Sequence, residues 1–387
     1  MAETLTAAGL AAVHEAAERP VADGTVPGLV ALVASGREVH VEALGQLSAG
    51  GPPVVRDSLF RIASMTKPVT GAATMALIEQ GLIGLDEPVD RLLPELAARR
   101  VLRDIAGPLD DTVPAIRAIT TRDLLTFTLG FGFVVEMFTA EKPLPIVTAS
   151  DEARLSTIGP PDPGIQPDPD SWIAGLGSLP LIAQPGERWM YNTGASVLGV
   201  LLSRAAGLPY RDVLRTRLFE PLGMSDTAFW TSQPGRLAAA YRPAPGGLEM
   251  WDPPDGKYSR PPAFEDGAGG LVSTADDMLA FARMFLRDGD PVLSAESVRA
   301  MTTDQLTPEQ KARGGLGPDF FTGQSWSFCQ AVQDSGVFGW DGGFGCTWMV
   351  DPHRDLVVVV LTQRMFDGPG LPATHGAIQQ AAYAALG

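Results

Sequence analysis

The run Leu59-Phe60-Arg61-Ile62-Ala63-Ser64-Met65-Thr66-Lys67-Pro68 joins a short apolar stretch to a helical pattern that continues to about Gln80. Ala, Met, Leu and Ile recur there at helical spacing, and Gly81 stands where a C-terminal cap belongs. Pro68 falls in the first turn, where a missing N–H removes no intrahelical bond. Ser64 and Lys67 are three residues apart, so a helix presents both on one face at its start. That end of a helix is electropositive and favours an alkoxide and the oxyanion it generates. A poorly solvated lysine can lose its charge and accept a hydroxyl proton, which arginine cannot do. Lysine is also scarce: the chain holds four, at Lys67, Lys142, Lys257 and Lys311. The bland alternative is an N-cap serine followed by a surface lysine. The position at a strand-to-helix junction favours the chemical reading.

Outward from this junction the pattern is mixed. Residues 5–18 read as an opening helix. Leu29-Val30-Ala31-Leu32-Val33-Ala34 reads as a buried strand, Ser35-Gly36-Arg37 as a turn, and Val39 to Leu44 as the strand's partner. Val337 to Val350 and Leu356 to Thr362 read as strands, and Pro372 to Leu386 as a closing helix. Between these ends, helical pieces at Thr121 to Leu129, Ala195 to Ala206 and Tyr210 to Phe219 alternate with loops. Pro160-Pro161-Asp162-Pro163-Gly164 and Pro167-Asp168-Pro169 cannot continue a helix or a central strand. Gly269-Gly270-Leu271-Val272-Ser273-Thr274 leads into an amphipathic helix to about Leu286. The expectation is an α/β chain with one sheet built from both termini. Residues 1–85 and 235–387 would form a discontinuous sheet domain, and 86–234 a mostly helical insertion with Pro-rich loops.

Composition narrows the function. The 387 residues carry 29 Lys+Arg against 45 Asp+Glu, a net charge of −16, which argues against a nucleic-acid binder. With 45% hydrophobic and 19% charged residues the chain is an ordinary globular one. No apolar run suggests a transmembrane helix, and Met1-Ala2-Glu3-Thr4 lacks the features of a signal peptide. Two cysteines, Cys329 and Cys346, build no disulfide framework, so a cytoplasmic protein is expected. His14, His40, His353 and His375 are scattered and no paired-Cys spacing occurs, so neither metal nor cofactor is expected. Gly194-Ala195-Ser196-Val197-Leu198 breaks the Gly-x-Ser-x-Gly pattern at its last position, which disfavours an α/β-hydrolase elbow.

Ser64-Met65-Thr66-Lys67, with Ile78-Glu79-Gln80-Gly81 and Leu85-Asp86-Glu87-Pro88-Val89 after it, resembles the serine β-lactamase and penicillin-binding-protein superfamily. The likeness is closest to class C β-lactamases and their esterase relatives, the family VIII carboxylesterases. Asp123-Leu124-Leu125-Thr126-Phe127-Thr128-Leu129-Gly130 is similar to a family stretch, with Phe127 and Leu129 replacing its usual His and Ser. Pro185-Gly186-Glu187-Arg188-Trp189-Met190-Tyr191, Pro221-Leu222-Gly223-Met224, Gly269 to Thr274 and Trp340-Asp341-Gly342-Gly343 also match, in consistent order over about 25–385. The resemblance implies a β-lactamase-like fold with Ser64 as nucleophile and Lys67 as its activator. It makes Tyr191 the tyrosine that relays the proton to the leaving group. A cation beside a phenol lowers its pKa and suits it to that work; the rival is a core tyrosine. Asn192 lies outside the implied set, because class C enzymes carry Asn two residues after the tyrosine and Thr193 stands there.

Where β-lactamases have Lys-Thr-Gly, this chain has Trp340-Asp341-Gly342, much like the Trp-Gly-Gly of some family VIII esterases. The resemblance places these three at the substrate. The Gly343 N–H would complete an oxyanion hole with that of Ser64, unless the segment is a mere strand bulge. Trp340 would wall the acyl or alcohol pocket, if it is not simply a packed aromatic. The function implied is hydrolysis of small carboxylic esters through an acyl-serine, with a small-molecule ester as substrate and neither nucleic acid nor membrane as partner. The same site would also suit a β-lactamase, a D-amino-acid peptide or amide hydrolase, or an acyltransferase. A catalytically silent binding protein is the alternative of a different kind.

Overall fold

The computed structural model describes residues 4–155, 160–368 and 370–387. Seven strands form its main sheet: β1 (Gly28–Ser35), β2 (Glu38–Gly45), β3 (Gln324–Trp326), β4 (Ala331–Gln333), β5 (Phe338–Gly342), β6 (Cys346–Asp351) and β7 (Leu356–Thr362). Their order is β2-β1-β7-β6-β5-β4-β3, with every neighbouring pair antiparallel. The N-terminal hairpin therefore joins the C-terminal strands through β1 and β7, in register from Leu29 opposite Thr362 to Ser35 opposite Leu356.

The sequences of β1 and β7 explain their central place. Both are apolar on either face, and every residue of each is buried. Five main helices cover the sheet and the site: α1 (Ala7–Ala22), α2 (Thr66–Glu79), α3 (Thr193–Ala206), α4 (Ala275–Leu286) and α5 (Ala373–Ala384). Leu29, Ala31, Val33, Val358 and Val360 point one way, onto Val13 and Ala17 of α1 and Ile378 and Ala382 of α5. Val30, Leu32, Val357, Val359 and Leu361 point the other way, into a core shared with Phe281 and Phe285 of α4 and with α2 and α3. Each buried Val, Leu, Ile or Phe among them contributes about 1.5–3 kcal/mol by leaving water. Helix α2 is buried from Thr66 to Leu77. It therefore runs through the interior, with Thr66, Lys67, Thr70 and Thr74 buried alongside its apolar residues.

Several expectations shift in detail. The stretch from Val337 to Val350 is a hairpin, β5 and β6, around a turn at residues 343–345. Strands β3 and β4 add an edge that three-residue segments do not announce by periodicity. The Tyr210 to Phe219 helix is α-helical only to Leu214 and continues as a π-helical turn over Arg215–Phe219. Pro169 starts the helix Pro169–Ser178, where Asp168 caps the first turn by accepting from the Asp170 and Ser171 N–H groups. Among the described residues no helix is long and apolar enough to cross a membrane.

Candidate active site

Ser64 lies in a 3-10 turn, Ala63–Met65, between the short strand Phe60–Arg61 and α2. Ala63 holds φ at 43°, a left-handed conformation that a residue with a Cβ adopts at a cost of about 1–2 kcal/mol. The sharp bend leaves Ser64 half-buried while Ala63, Met65, Thr66 and Lys67 are buried. In such a first turn, backbone N–H groups have no partner within the helix.

Lys67 has no solvent exposure. Its Nζ donates to Ser64 Oγ at 2.8 Å and to the Ala268 carbonyl at 2.6 Å. It also sits 4.5 Å from the centre of the Tyr191 ring. Burial pushes the ammonium pKa down to about 7, against an opposing pull from Asp266. Near neutral pH this lysine is thus divided between its charged and neutral forms, beside the serine hydroxyl.

Tyr191 is held by paired backbone hydrogen bonds with Phe133, 3.1 Å from its own N–H and 2.9 Å to its carbonyl. Asn192 then turns the chain at φ 84° and ψ −65°, closing a γ-turn in which the Thr193 N–H donates to the Tyr191 carbonyl at 3.2 Å. This aims the tyrosine at the site and starts α3. The structure differs from the expected lowered phenol. Burial pushes the Tyr191 hydroxyl pKa up, while hydrogen bonds with Ser64 and Trp340 pull it down only in part. Tyr191 therefore keeps its proton across the ordinary pH range and can donate it.

The donor from Trp340 was not legible as a role in the sequence. Its indole Nε1 donates to the Tyr191 hydroxyl at 2.8 Å. Strand β4 pairs with β5 only at Phe338 and Gly339. Residues 340–342 thus continue as a free edge beside the serine turn. A Cβ at Gly342 would collide with the Ile62 carbonyl, so glycine lets β5 approach the Ser64 turn closely. Gly343 follows as the exposed first residue of the turn, and its N–H has no hydrogen-bond acceptor among the described residues. Asp341 is half-buried, and desolvation pushes its carboxyl pKa up to about 7.

An aromatic cluster borders these groups. Trp326 meets Trp340 edge-on at 4.7 Å between ring centres, Phe127 lies 4.9 Å from Trp326, and Phe320 lies 4.9 Å from Trp189. Phe127, which replaces the family's usual histidine, is fully buried among these rings. Ala268 is a second participant that sequence reasoning missed. It lies just before the Gly269 to Thr274 stretch, and only its backbone carbonyl contacts the lysine. Among the described residues no cluster of three or more His, Cys, Asp or Glu is placed to hold a metal.

A family model described as Beta-lactamase matches residues 13–383. Protein Rv1367c of Mycobacterium tuberculosis is 39% identical over 378 residues, covering 92% of this chain and 90% of that protein. Esterase EstB of Burkholderia gladioli is 30% identical over 405 residues, covering 98% and 97%. Among solved structures, that of EstCE1, described as a hydrolase with promiscuous acyltransferase activity, superposes with a TM-score of 0.81 at 25% identity. That match covers 97% of this chain and 99% of EstCE1.

Proposed function

The chain belongs to the beta-lactamase family, and we propose that it is a serine carboxylesterase that hydrolyses small carboxylic esters through an acyl-serine intermediate. The observation that carries this reading is the contact of 2.8 Å between a fully buried Lys67 Nζ and Ser64 Oγ. Neutral Lys67 takes the Ser64 proton as Oγ attacks the ester carbonyl. The N–H groups of Ser64 and Gly343 receive the oxyanion. Tyr191, still protonated and steadied by Trp340, gives its proton to the departing alkoxide, and charged Lys67 restores that proton. Water, deprotonated through the same pair, then attacks the acyl carbonyl, and the proton passes back to Ser64 Oγ as the acid leaves. Trp340, Asp341 and Gly342 line the substrate side of this path. The proposal places the enzyme in the cytoplasm, in keeping with two buried, unpaired thiols at Cys329 and Cys346.

Acyl transfer is the second reading, supported by the likeness to EstCE1, whose description names both activities. Transfer differs from hydrolysis only in whether an alcohol or water attacks the acyl-serine. The test is a fluorophosphonate label located by peptide mass analysis, together with turnover of p-nitrophenyl butyrate. Ser64 should carry the label, and Ser64→Ala should abolish both label and turnover while keeping the fold. Turnover near the wild-type rate in pure Ser64→Ala protein would refute the assignment. Adding a short alcohol during turnover distinguishes transfer, by the appearance of a new ester.

A further inference from the structure

We propose that Asp266 is a positioning residue for Lys67: its buried carboxylate fixes the turn whose Ala268 carbonyl receives the lysine, and it supplies the compensating negative charge. The inference rests on the reading of Lys67 as the base. Asp266 is 6% exposed. Its Oδ1 accepts from Ser196 Oγ at 2.7 Å and from the Ala268 N–H at 2.9 Å, and its Oδ2 from Gln166 Nε2 at 3.4 Å. Its own carbonyl accepts from the Gly270 N–H at 3.0 Å. The carboxylate thus folds the 266–270 segment around itself, two residues from the carbonyl that Lys67 contacts. Three elements converge there. Thr70 of α2 donates to the Gly267 carbonyl at 2.7 Å, Ser196 comes from α3, and Gln166 from the Pro-rich loop.

These hydrogen bonds alone do not call for a charge. An asparagine could accept from Ser196 and from the Ala268 N–H in the same way. Burying a carboxylate costs several kcal/mol unless something compensates it. All three donors to it are neutral. Lys67 is the charged group that gains, because Asp266 raises the lysine's affinity for its proton against burial. The thiol and phenols around the lysine do not carry charge near neutral pH, and Asp341, pushed up to about 7, is the same in wild type and in the variants below. Burial pushes the Cys329 thiol up, and it pushes up the hydroxyls of Tyr191 and Tyr210. Around Asp266, Tyr258 is likewise pushed up, and Glu265 is paired with Arg211 at 2.6 Å. Asp341 acts on Tyr191. Asp266 thereby keeps the proton affinity of Lys67 higher than burial alone would leave it.

The experiment measures kcat/KM for p-nitrophenyl butyrate and the rate of fluorophosphonate labelling against pH, in the full chain. Wild type should show an acid limb near pH 7, where Lys67 gives up its proton. Asp266→Asn keeps the shape of the side chain and removes the charge. Its acid limb should move down by about one pH unit, the lower end of the effect of a nearby opposite charge. Gln166→Lys leaves Asp266 in place, sets a cation against it, and should move the limb the same way. It decides the matter if Asp266→Asn does not fold. A purely structural role for Asp266 lowers the rate but leaves the limb where it was. Ser64 labelling with an unmoved or upward-moved limb overturns this inference alone. Absence of any label on wild-type Ser64 overturns the proposed mechanism and this inference with it.

Discussion

Trp340→Phe removes one hydrogen bond and leaves an aromatic ring in place. The lost donor is the indole Nε1, 2.8 Å from the Tyr191 hydroxyl. Tyr191 is 9% exposed, so water cannot readily substitute. Leaving a buried polar group short of a partner costs about 1–3 kcal/mol, which corresponds to about five- to 150-fold in rate if it is felt in the transition state. Trp340 also pulls the phenol pKa down, so its loss makes Tyr191 a poorer acid. The effect should therefore depend on the leaving group. A p-nitrophenolate departs without a proton, whereas an alkoxide needs one. The assay compares kcat for p-nitrophenyl butyrate and ethyl butyrate, with thermal melting to check the fold. Ethyl butyrate should lose about ten- to 100-fold, and p-nitrophenyl butyrate only a few-fold. In a Tyr191→Phe background the Trp340 change should add little, because the two residues act as one unit. Equal losses on both esters would refute the reasoning and make Trp340 a packing residue, consistent with its 4.7 Å contact to Trp326.

Tyr191→Phe itself should lower kcat on alkyl esters by about two to four orders of magnitude; a loss of a few-fold would return Tyr191 to the core. Lys67→Met should inactivate the enzyme yet stabilise it. The unfolded state binds a proton on lysine up to about pH 10.4, while the folded state releases it at about 7. The wild-type penalty is therefore full below pH 7, about 3–5 kcal/mol at most, and fades as pH rises to about 10. Calorimetry at pH 6 and pH 10 checks this: a stabilisation that does not shrink with pH would contradict it. A chromogenic cephalosporin should be the poorer substrate. Its carboxylate meets Trp340-Asp341-Gly342, which offers no cation where the resemblance puts the Lys-Thr-Gly of β-lactamases, and losing a charge-assisted contact costs about one to two orders of magnitude. A kcat/KM equal to that of p-nitrophenyl butyrate would show the anion site rebuilt elsewhere.

Legibility followed the distance along the chain over which a relation holds. Ser64 and Lys67 were readable because one helix turn joins them. The strands at both ends were readable from unbroken apolar runs such as Leu356 to Leu361. The bond from Trp340 to Tyr191 spans 149 residues and depends on where the free edge of β5 arrives. The carbonyl of Ala268 serves as a ligand that any residue type could provide, so no letter in the sequence marks it. The direction of the Tyr191 shift was misread for a related reason. A neighbouring cation suggests a lowered phenol, but burial outweighs the surrounding hydrogen bonds, and only the packed structure reveals that balance.

The pairing of β1 with β7 also sets a sequence in time. During synthesis β1 and β2 emerge early, yet Leu29 finds its partner only when Thr362 has been made. Until then one edge of β1 is bare and apolar on both faces, an invitation to pair with other chains. A fold closed by contacts this remote is slow to form, since the loop entropy is lost before the sheet rewards it. The same late pairing brings β5 and its Trp340 edge to Ser64. The indole that donates to the Tyr191 hydroxyl therefore joins the site only late in synthesis, after Ser64, Lys67 and Tyr191 have all been made.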